Sequence, residues 1–226
     1  MKTICTICAR GGSQGVKNKN ILSVKGKPLI AHSILQAKQS GMFDVIAVSS
    51  DSEKIRTVAK KWGADYVINR PQELSSSTAA KLPAIQHAVR EIEQLTSQSF
   101  DIMVDLDATS PLREVNDIVE AVNLLVKHRN ASNLITAFPS RRSPYFNMVE
   151  VNESGYVNLA KLTAKLIVRR QDVPLCYDMN ASIYVWKRDA FFEEKPVITI
   201  ELFYTLCQKN ALLILIQSWI YNGYAY

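Results

Sequence analysis

Long apolar runs, long charged runs and cysteine are all scarce in this chain, and each shortage removes a class of protein. A membrane-spanning helix needs about 20 consecutive apolar residues. The apolar run Ala211 to Ile216 has only six, so no membrane partner is expected. The net charge is +6 and the pI near 9.1, yet Lys and Arg never gather into a long run. No zinc-finger, RNP-type or basic-helix pattern accompanies them, which argues against nucleic acid. Scattered positive charge of this kind suits small anionic molecules. The four cysteines are Cys5, Cys8, Cys176 and Cys207, and the C-x-x-C at the start has no second pair at zinc spacing. On a strand, residues three apart point to opposite faces, so this pair cannot clip one metal. It reads as buried thiols in a reducing, cytoplasmic compartment. Signatures of disorder are lacking too: with 47% hydrophobic and 21% charged residues among 226, the chain can bury one generous α/β core.

What is present is alternation. The opening MKTICTICARGG has too short an apolar stretch for a secretory leader and meets glycines at once, so it reads as a first strand. Helical spacing follows over 29–41, with Gly41 as a stop. A second strand covers 43–51, and a helix 52–65 is expected with Ser52 as cap and Gly63 as end. A short strand at 66–70, a helix at 78–95 with Pro83 in its first turn, a core strand at 101–108, a helix at 115–129 and a strand at 133–140 complete the series. Near-continuous apolar strands alternating with helices predict a doubly wound, mostly parallel sheet covered on both faces. From 141 to 178 the pattern turns polar and hairpin-like, as expected of an inserted lobe, before ASIYVWKRDAFF returns to a strand.

In such sheets ligands bind beyond the carboxyl ends of the strands, and the distinctive motifs fall there. ARGGSQGVKNKN (9–20) follows the first strand. Its glycines permit close backbone approach to phosphate oxygens, and Arg10, Lys17 and Lys19 add charge. It is neither a Walker A loop nor a G-x-G-x-x-G fingerprint, and an ordinary Gly-rich turn with solvated lysines has the same spacing. DLDATSPLR (105–113) offers two carboxylates, Asp105 and Asp107, the hydroxyls of Thr109 and Ser110, and the Arg113 guanidinium. Paired carboxylates beside a phosphate loop point to Mg²⁺, although one buried and one solvated Asp fits the spacing as well. NRPQELSSST (69–78) contributes Arg70, and RRQD (169–172) contributes Arg169 and Arg170; arginines of this kind clamp carboxylates and phosphates, while surface loops carry them too. His32, His87 and His128 are scattered over helices and read as structural or exposed.

Taken in order, ARGGSQGVKNKNI, RPQELS, ATSPLR and RRQD resemble the CMP-sialic-acid synthetases, the acylneuraminate cytidylyltransferase family, over residues 2 to about 200. The most specific motif is A-R-G-G-S-x-G with Lys19-Asn20 beyond it. The resemblance implies a nucleotide-diphospho-sugar transferase-like sheet with a small dimerisation lobe, acting as a homodimer. It also implies the transfer of CMP from CTP to an acidic nine-carbon sugar, with Mg²⁺ as cofactor and pyrophosphate released. Arg10, Gly11, Gly12, Ser13, Lys19 and Asn20 match the family's nucleotide loop, with Lys19 and Arg10 as the charge clamp, and Arg70 matches an arginine near the cytidine. Thr109, Ser110, Arg170 and Gln171 match positions facing the sugar acid, and Asp107 is the expected metal ligand; Tyr177 and Asn180 fall where the chain returns to the sheet. Gln14 stands where sialic-acid members usually have Lys, and Asp107-Ala108 where they usually have Gln-Pro. Both departures favour a bacterial relative of sialic acid, such as legionaminic acid. An octulosonic-acid cytidylyltransferase is the alternative within the same fold.

The final stretch, 206–226, departs most. The family closes on R-S-I-D-I-D, whose aspartates hold Mg²⁺; here LCQKNALLILIQSWI stands instead. Permitted codons for Leu206 to Ile220, read from the third base onward, spell M-P-E-K-R-S-I-D-I-D-S-E-L-D. This implies a base lost near Thr205–Leu206. A chain carrying the shifted tail is expected to turn over weakly while still binding CTP.

Overall fold

Short apolar strands, each leading into an amphipathic helix, set the architecture. The computed structural model describes residues 1–13, 15–163, 169–193 and 202–206. Strand β1 (Thr3–Cys8) leads through a Gly-rich loop to a small hairpin, β2 (Ser23–Val24) and β3 (Lys27–Pro28), whose tip holds Lys25 and Gly26 at φ of 48° and 78°. Positive φ at both central residues is what a tight two-residue hairpin requires. Then come α1 (Leu29–Ser40), β4 (Val45–Ser50), α2 (Glu53–Lys61), β5 (Tyr66–Asn69), α3 (Lys81–Thr96), β6 (Ile102–Leu106), α4 (Val115–Lys127) and β7 (Asn133–Pro139). The chain continues through β8 (Val149–Val151), β9 (Val157–Leu159), β10 (Tyr177–Lys187), α5 (Arg188–Phe192) and β11 (Leu202–Leu206).

Seven strands form one sheet in the order β11-β7-β10-β6-β1-β4-β5. The β6–β1, β1–β4 and β4–β5 pairs are parallel, and β10 runs antiparallel to β6. The expectation of a doubly wound, mostly parallel sheet therefore holds. Period-two alternation sends Cys5, Ile7, Val104 and Leu106 into one core with Ile30, Ile34, Ile55, Ile118 and Leu125 of α1, α2 and α4. Ile4 and Met103 point the other way, into a second core with Ile85, Val89 and Ile92 of α3 and Phe191 of α5. Cys5 lies in the first core and Cys8 packs against the second, so the C-x-x-C is split by the sheet. Burial pushes both thiols up, Cys8 to about 12, which leaves them unreactive.

Some helix ends follow the expected local chemistry and one expected cap does not. Gly41 closes α1 at φ 64°, and Gly63, at φ 94°, follows α2. Pro83 lies in the first turn of α3, where its missing N–H costs nothing. Ser52 is the N-cap of α2, as expected, but its side chain makes no capping bond. Its Cβ instead lies against the Gly-rich loop, only 2.9 Å from where a Cβ on Gly11 would stand.

Contacts divide the chain into two compact units. The first takes in Met1–Thr136 and the described residues from Ala181 on, and it holds both cores. The second is Ala137–Asn180, which contains residues 141–178 and the β8–β9 hairpin. In that hairpin Val149 faces Leu159 and Val151 faces Val157, so one surface is wholly aliphatic, and all four side chains are exposed.

Candidate active site

Running outward from β1, the sheet goes through β4 to β5 on one side and to β6 on the other. The connections leaving β1 and β6 therefore run to opposite sides, and the crevice that binds ligands in such sheets lies beyond the carboxyl ends of these strands. Loop 9–20, the turn 107–113, residues 51–52 and loop 70–80 all leave strands at that end.

The Gly-rich loop is braced from three sides. The Gly11 N–H donates to Asp51 Oδ1 at 2.8 Å, and the Ser13 N–H donates to the Gly11 carbonyl at 3.0 Å. Buried Asn20 donates from Nδ2 to the Arg10 carbonyl at 3.0 Å, while Arg10 Nη1 reaches the Ser76 carbonyl at 2.9 Å. Gly11 is thus demanded by close contact with Ser52, and its amide donates to Asp51. Gly12 has open space where a Cβ would project. Lys19 opens a short 3-10 turn, Lys19–Ile21, half-buried beside exposed Lys17. Gln14 lies outside the described residues.

Arg70 and Arg113 differ from the solvent-reaching arginines that their motifs suggested. Arg70 is buried and donates from Nε to Ser49 Oγ at 3.1 Å and from Nη2 to the Ser49 carbonyl at 2.6 Å. Arg113 is buried as well. Its guanidinium donates to Ser182 Oγ and O, Ser33 Oγ, Gln36 Oε1 and the Asp107 carbonyl at 2.8–3.2 Å. It knits α1, β10 and the turn after β6 together from beneath the crevice, so it is a framework residue.

Beside that clamp sits an arrangement that sequence spacing did not suggest. Lys81, the first residue of α3, places its ammonium 2.8 Å from Asp105 Oδ2 and 3.1 Å from Asp107 Oδ2. Asp105 is fully buried and also accepts from Thr6 Oγ1 at 3.1 Å. Asp107 accepts at Oδ1 from the Thr109 N–H at 2.8 Å and from Thr109 Oγ1 at 2.6 Å. Burial alone would raise the Asp107 pKa, but Lys81 and the two Thr109 bonds outweigh it and hold the carboxyl below its usual range. Burial alone would lower that of Lys81, but the two carboxylates outweigh it and hold the ammonium charged well beyond its ordinary range. The same ammonium lies 4.7 Å from the centre of the Tyr184 ring, which stacks on Trp186. Ser110 is buried at the head of the next turn.

The structure therefore brings Arg10, Gly11, Gly12, Ser13, Lys19, Asn20, Arg70, Asp107, Thr109 and Ser110 into the first unit at the ends of β1, β4, β5 and β6. Arg170 and Gln171 belong to the second unit, in a 3-10 turn, Arg170–Asp172, where Gln171 is exposed. The neighbouring Arg169 grips Asp172 through two bonds of 2.8 and 3.0 Å. The side chain of Arg170 is outside the described set. So are residues 207–226, and with them the altered tail. Hard carboxylate oxygens suit Mg²⁺, but it takes about six ligands. Among the described residues no three His, Cys, Asp or Glu side chains gather to hold a metal. Asp105 and Asp107 are two such carboxylates at this end, so a divalent cation here would need further oxygens from elsewhere. No helix among the described residues is long and apolar enough to cross a membrane.

Comparison with known proteins identifies the family. A family described as cytidylyltransferase matches residues 4–214. The chain is 46% identical to the post-translational flagellin modification protein B of Campylobacter coli over 86% of its own length and 81% of the relative's. It is equally identical, over the same shares, to the CMP-N,N'-diacetyllegionaminic acid synthase of Campylobacter jejuni subsp. jejuni serotype O:2. It is 34% identical to the N-acylneuraminate cytidylyltransferase of Streptococcus agalactiae serotype V, matching 88% of this chain and 46% of that longer one. In fold it resembles a CMP:2-keto-3-deoxy-manno-octonic acid synthetase solved with CTP, with a TM-score of 0.66 over 99% of this chain and all of that one, at 15% identity.

Proposed function

The chain belongs to the cytidylyltransferase family, and we propose that it joins CTP to a sialic-acid-like nonulosonic acid of the legionaminic type, releasing pyrophosphate. The observation that carries this reading is the 46% identity to a CMP-N,N'-diacetyllegionaminic acid synthase across 81% of that protein. The departures at Gln14 and Asp107-Ala108 point the same way.

In this reading Arg10 and Lys19 face the triphosphate, and Gly12 and Ser13 give it room to approach the backbone. Transfer of this type needs charge placed against the phosphate oxygens and the leaving pyrophosphate more than covalent help from the protein. Asn20 and Asp51 hold the loop in shape, so its cations need little reorganisation. Arg70, buried and pinned by Ser49, shapes the nucleotide side of the site from a fixed position. Thr109 faces the sugar, and buried Ser110 belongs to the same turn. Asp107 would hold Mg²⁺, whose chemistry is neutralising phosphate charge.

We infer a homodimer from the aliphatic surface of the β8–β9 hairpin. Tyr156, at the end of its turn, is 74% exposed and Val151 68%, and an isolated hairpin is marginal in water. A second copy of the same surface is the complementary partner. A cytoplasmic setting fits a CTP-consuming chain with free Cys5, Cys8 and Cys176. A second reading, a CTP-binding chain with weak turnover, is favoured by the tail sequence, where LLILI stands in place of I-D-I-D.

Pyrophosphate release from CTP, measured with N,N'-diacetyllegionaminic, pseudaminic, N-acetylneuraminic and octulosonic acids, tests both readings. Preference for the first acid is expected. Preference for the octulosonic acid overturns the substrate reading, and CTP binding without release from any of them favours the weakened chain. Sequencing the gene around codons 200–226 decides the origin of the tail.

A further inference from the structure

Lys81 is absent from every motif that pointed to the site, yet it stands at the centre of it. A lysine at the first position of a helix opposes the helix dipole and needs an anion close by. Here it has two, at 2.8 and 3.1 Å, although no acidic residue lies in the first turn of α3 itself. The compensating charges come from β6 and the residue after it, so the contact exists only because α3 lies over that end of the sheet.

The ammonium occupies the place that a divalent cation bridging Asp105 and Asp107 would take. Asp105 has no solvent exposure and so cannot turn away to another partner. Asp107 is held from its other side by Thr109. The Lys81 side chain is 37% exposed, which leaves its stem a path out of the crevice. The nearby Tyr184 face, 4.7 Å away, steadies the ammonium where it is.

We propose that Lys81 is a positioning residue that acts as the fold's own cation between Asp105 and Asp107. It aligns the Asp107 carboxylate and keeps a divalent metal from binding the pair before nucleotide arrives. Asp107 would then hold a metal only together with the oxygens of a bound triphosphate. This inference concerns the nucleotide-free protein and stands whether or not the sugar assignment is right.

The test is Mn²⁺ binding to the nucleotide-free full chain, read from loss of the free-ion EPR signal. Unaltered protein is expected to bind Mn²⁺ weakly. Lys81→Met and Lys81→Gln should gain on the order of tenfold or more in Mn²⁺ affinity, since the positive charge that competes for the two carboxylates is removed. Lys81→Arg should restore weak binding, and Lys81→Met with Asp107→Asn should lose the gain. Thermal melting identifies which variants are folded. If folded Lys81→Met and Lys81→Gln bind Mn²⁺ no better than unaltered protein, the inference fails. It fails equally if Asp107→Asn abolishes substantial Mn²⁺ binding by the unaltered chain, a result that needs no Lys81 variant to fold.

Discussion

The two units of this chain solve the problem of apolar surface in opposite ways. The first buries its isoleucines and valines on both faces of a sheet, with helices on each side. The second exposes Val149, Val151, Val157 and Leu159 along one surface of a two-stranded hairpin. A sheet closed by its own helices is complete within one copy. A hairpin with an uncovered aliphatic surface needs cover from elsewhere. The difference separates residues whose loss damages folding from residues whose loss changes association.

The largest effect is expected in the first unit, at Arg113. Arg113→Ala strips donors from two buried carbonyls and three side chains and opens a cavity, so a loss of ~3–5 kcal/mol is expected. Denaturant unfolding checks it, and a loss below about 1 kcal/mol would mean that water replaces the clamp. Ile85→Ala, in the core beneath α3, should cost ~2–4 kcal/mol by the same measurement. If either change left stability untouched, the first unit would not be self-sufficient and the contrast would collapse.

Much of the first unit was legible because its signals are local. Strand–helix alternation, Gly41 as a stop and Pro83 in a first turn need only nearest-neighbour chemistry. The positions after β1 and β6 followed from the general rule for doubly wound sheets. Roles that depend on packing were not legible. Arg113 read as a ligand because a guanidinium near T-S-P-L looks free, yet its partners at Ser33, Gln36 and Ser182 lie far away in sequence. Arg70 was hidden in the same way by Ser49. Lys81 left one faint trace, a cation at a helix start with no acid in the same turn. The second unit gave weaker signals, since three-residue strands carry almost no periodicity.

Acid should probe the crevice more gently than truncation does. The Asp107 pKa is depressed in the folded chain, so its contribution is present above the unfolded value of about 3.9 and is lost as pH falls through the lower folded one. Lys81 is shifted the other way, and its contribution, fully present below about 10.4, does not vary in acid. The stability gap between unaltered protein and Asp107→Asn should therefore be constant near neutrality and shrink below about pH 4. Melting both proteins from pH 3 to 7 measures the gap, and one that widens in acid would show that Asp107 is not the group responsible.

The smallest effect on folding is expected at the hairpin, and there the comparison is sharpest. Val157 is 60% exposed and faces Val151 across the ladder, so within one copy Val157→Thr removes little buried surface. At concentrations where single copies prevail, its cost should stay within about 0.5 kcal/mol. At higher concentrations a dimer that covers this face would raise the melting temperature of unaltered protein, because association stabilises by mass action. Val157→Thr, and more strongly Val151→Glu with Val157→Glu, should flatten that dependence and shift light scattering toward single copies. If the charged pair instead lowered the melting temperature equally at every concentration, the aliphatic face would be serving the fold of its own copy, and the two units would differ in degree only.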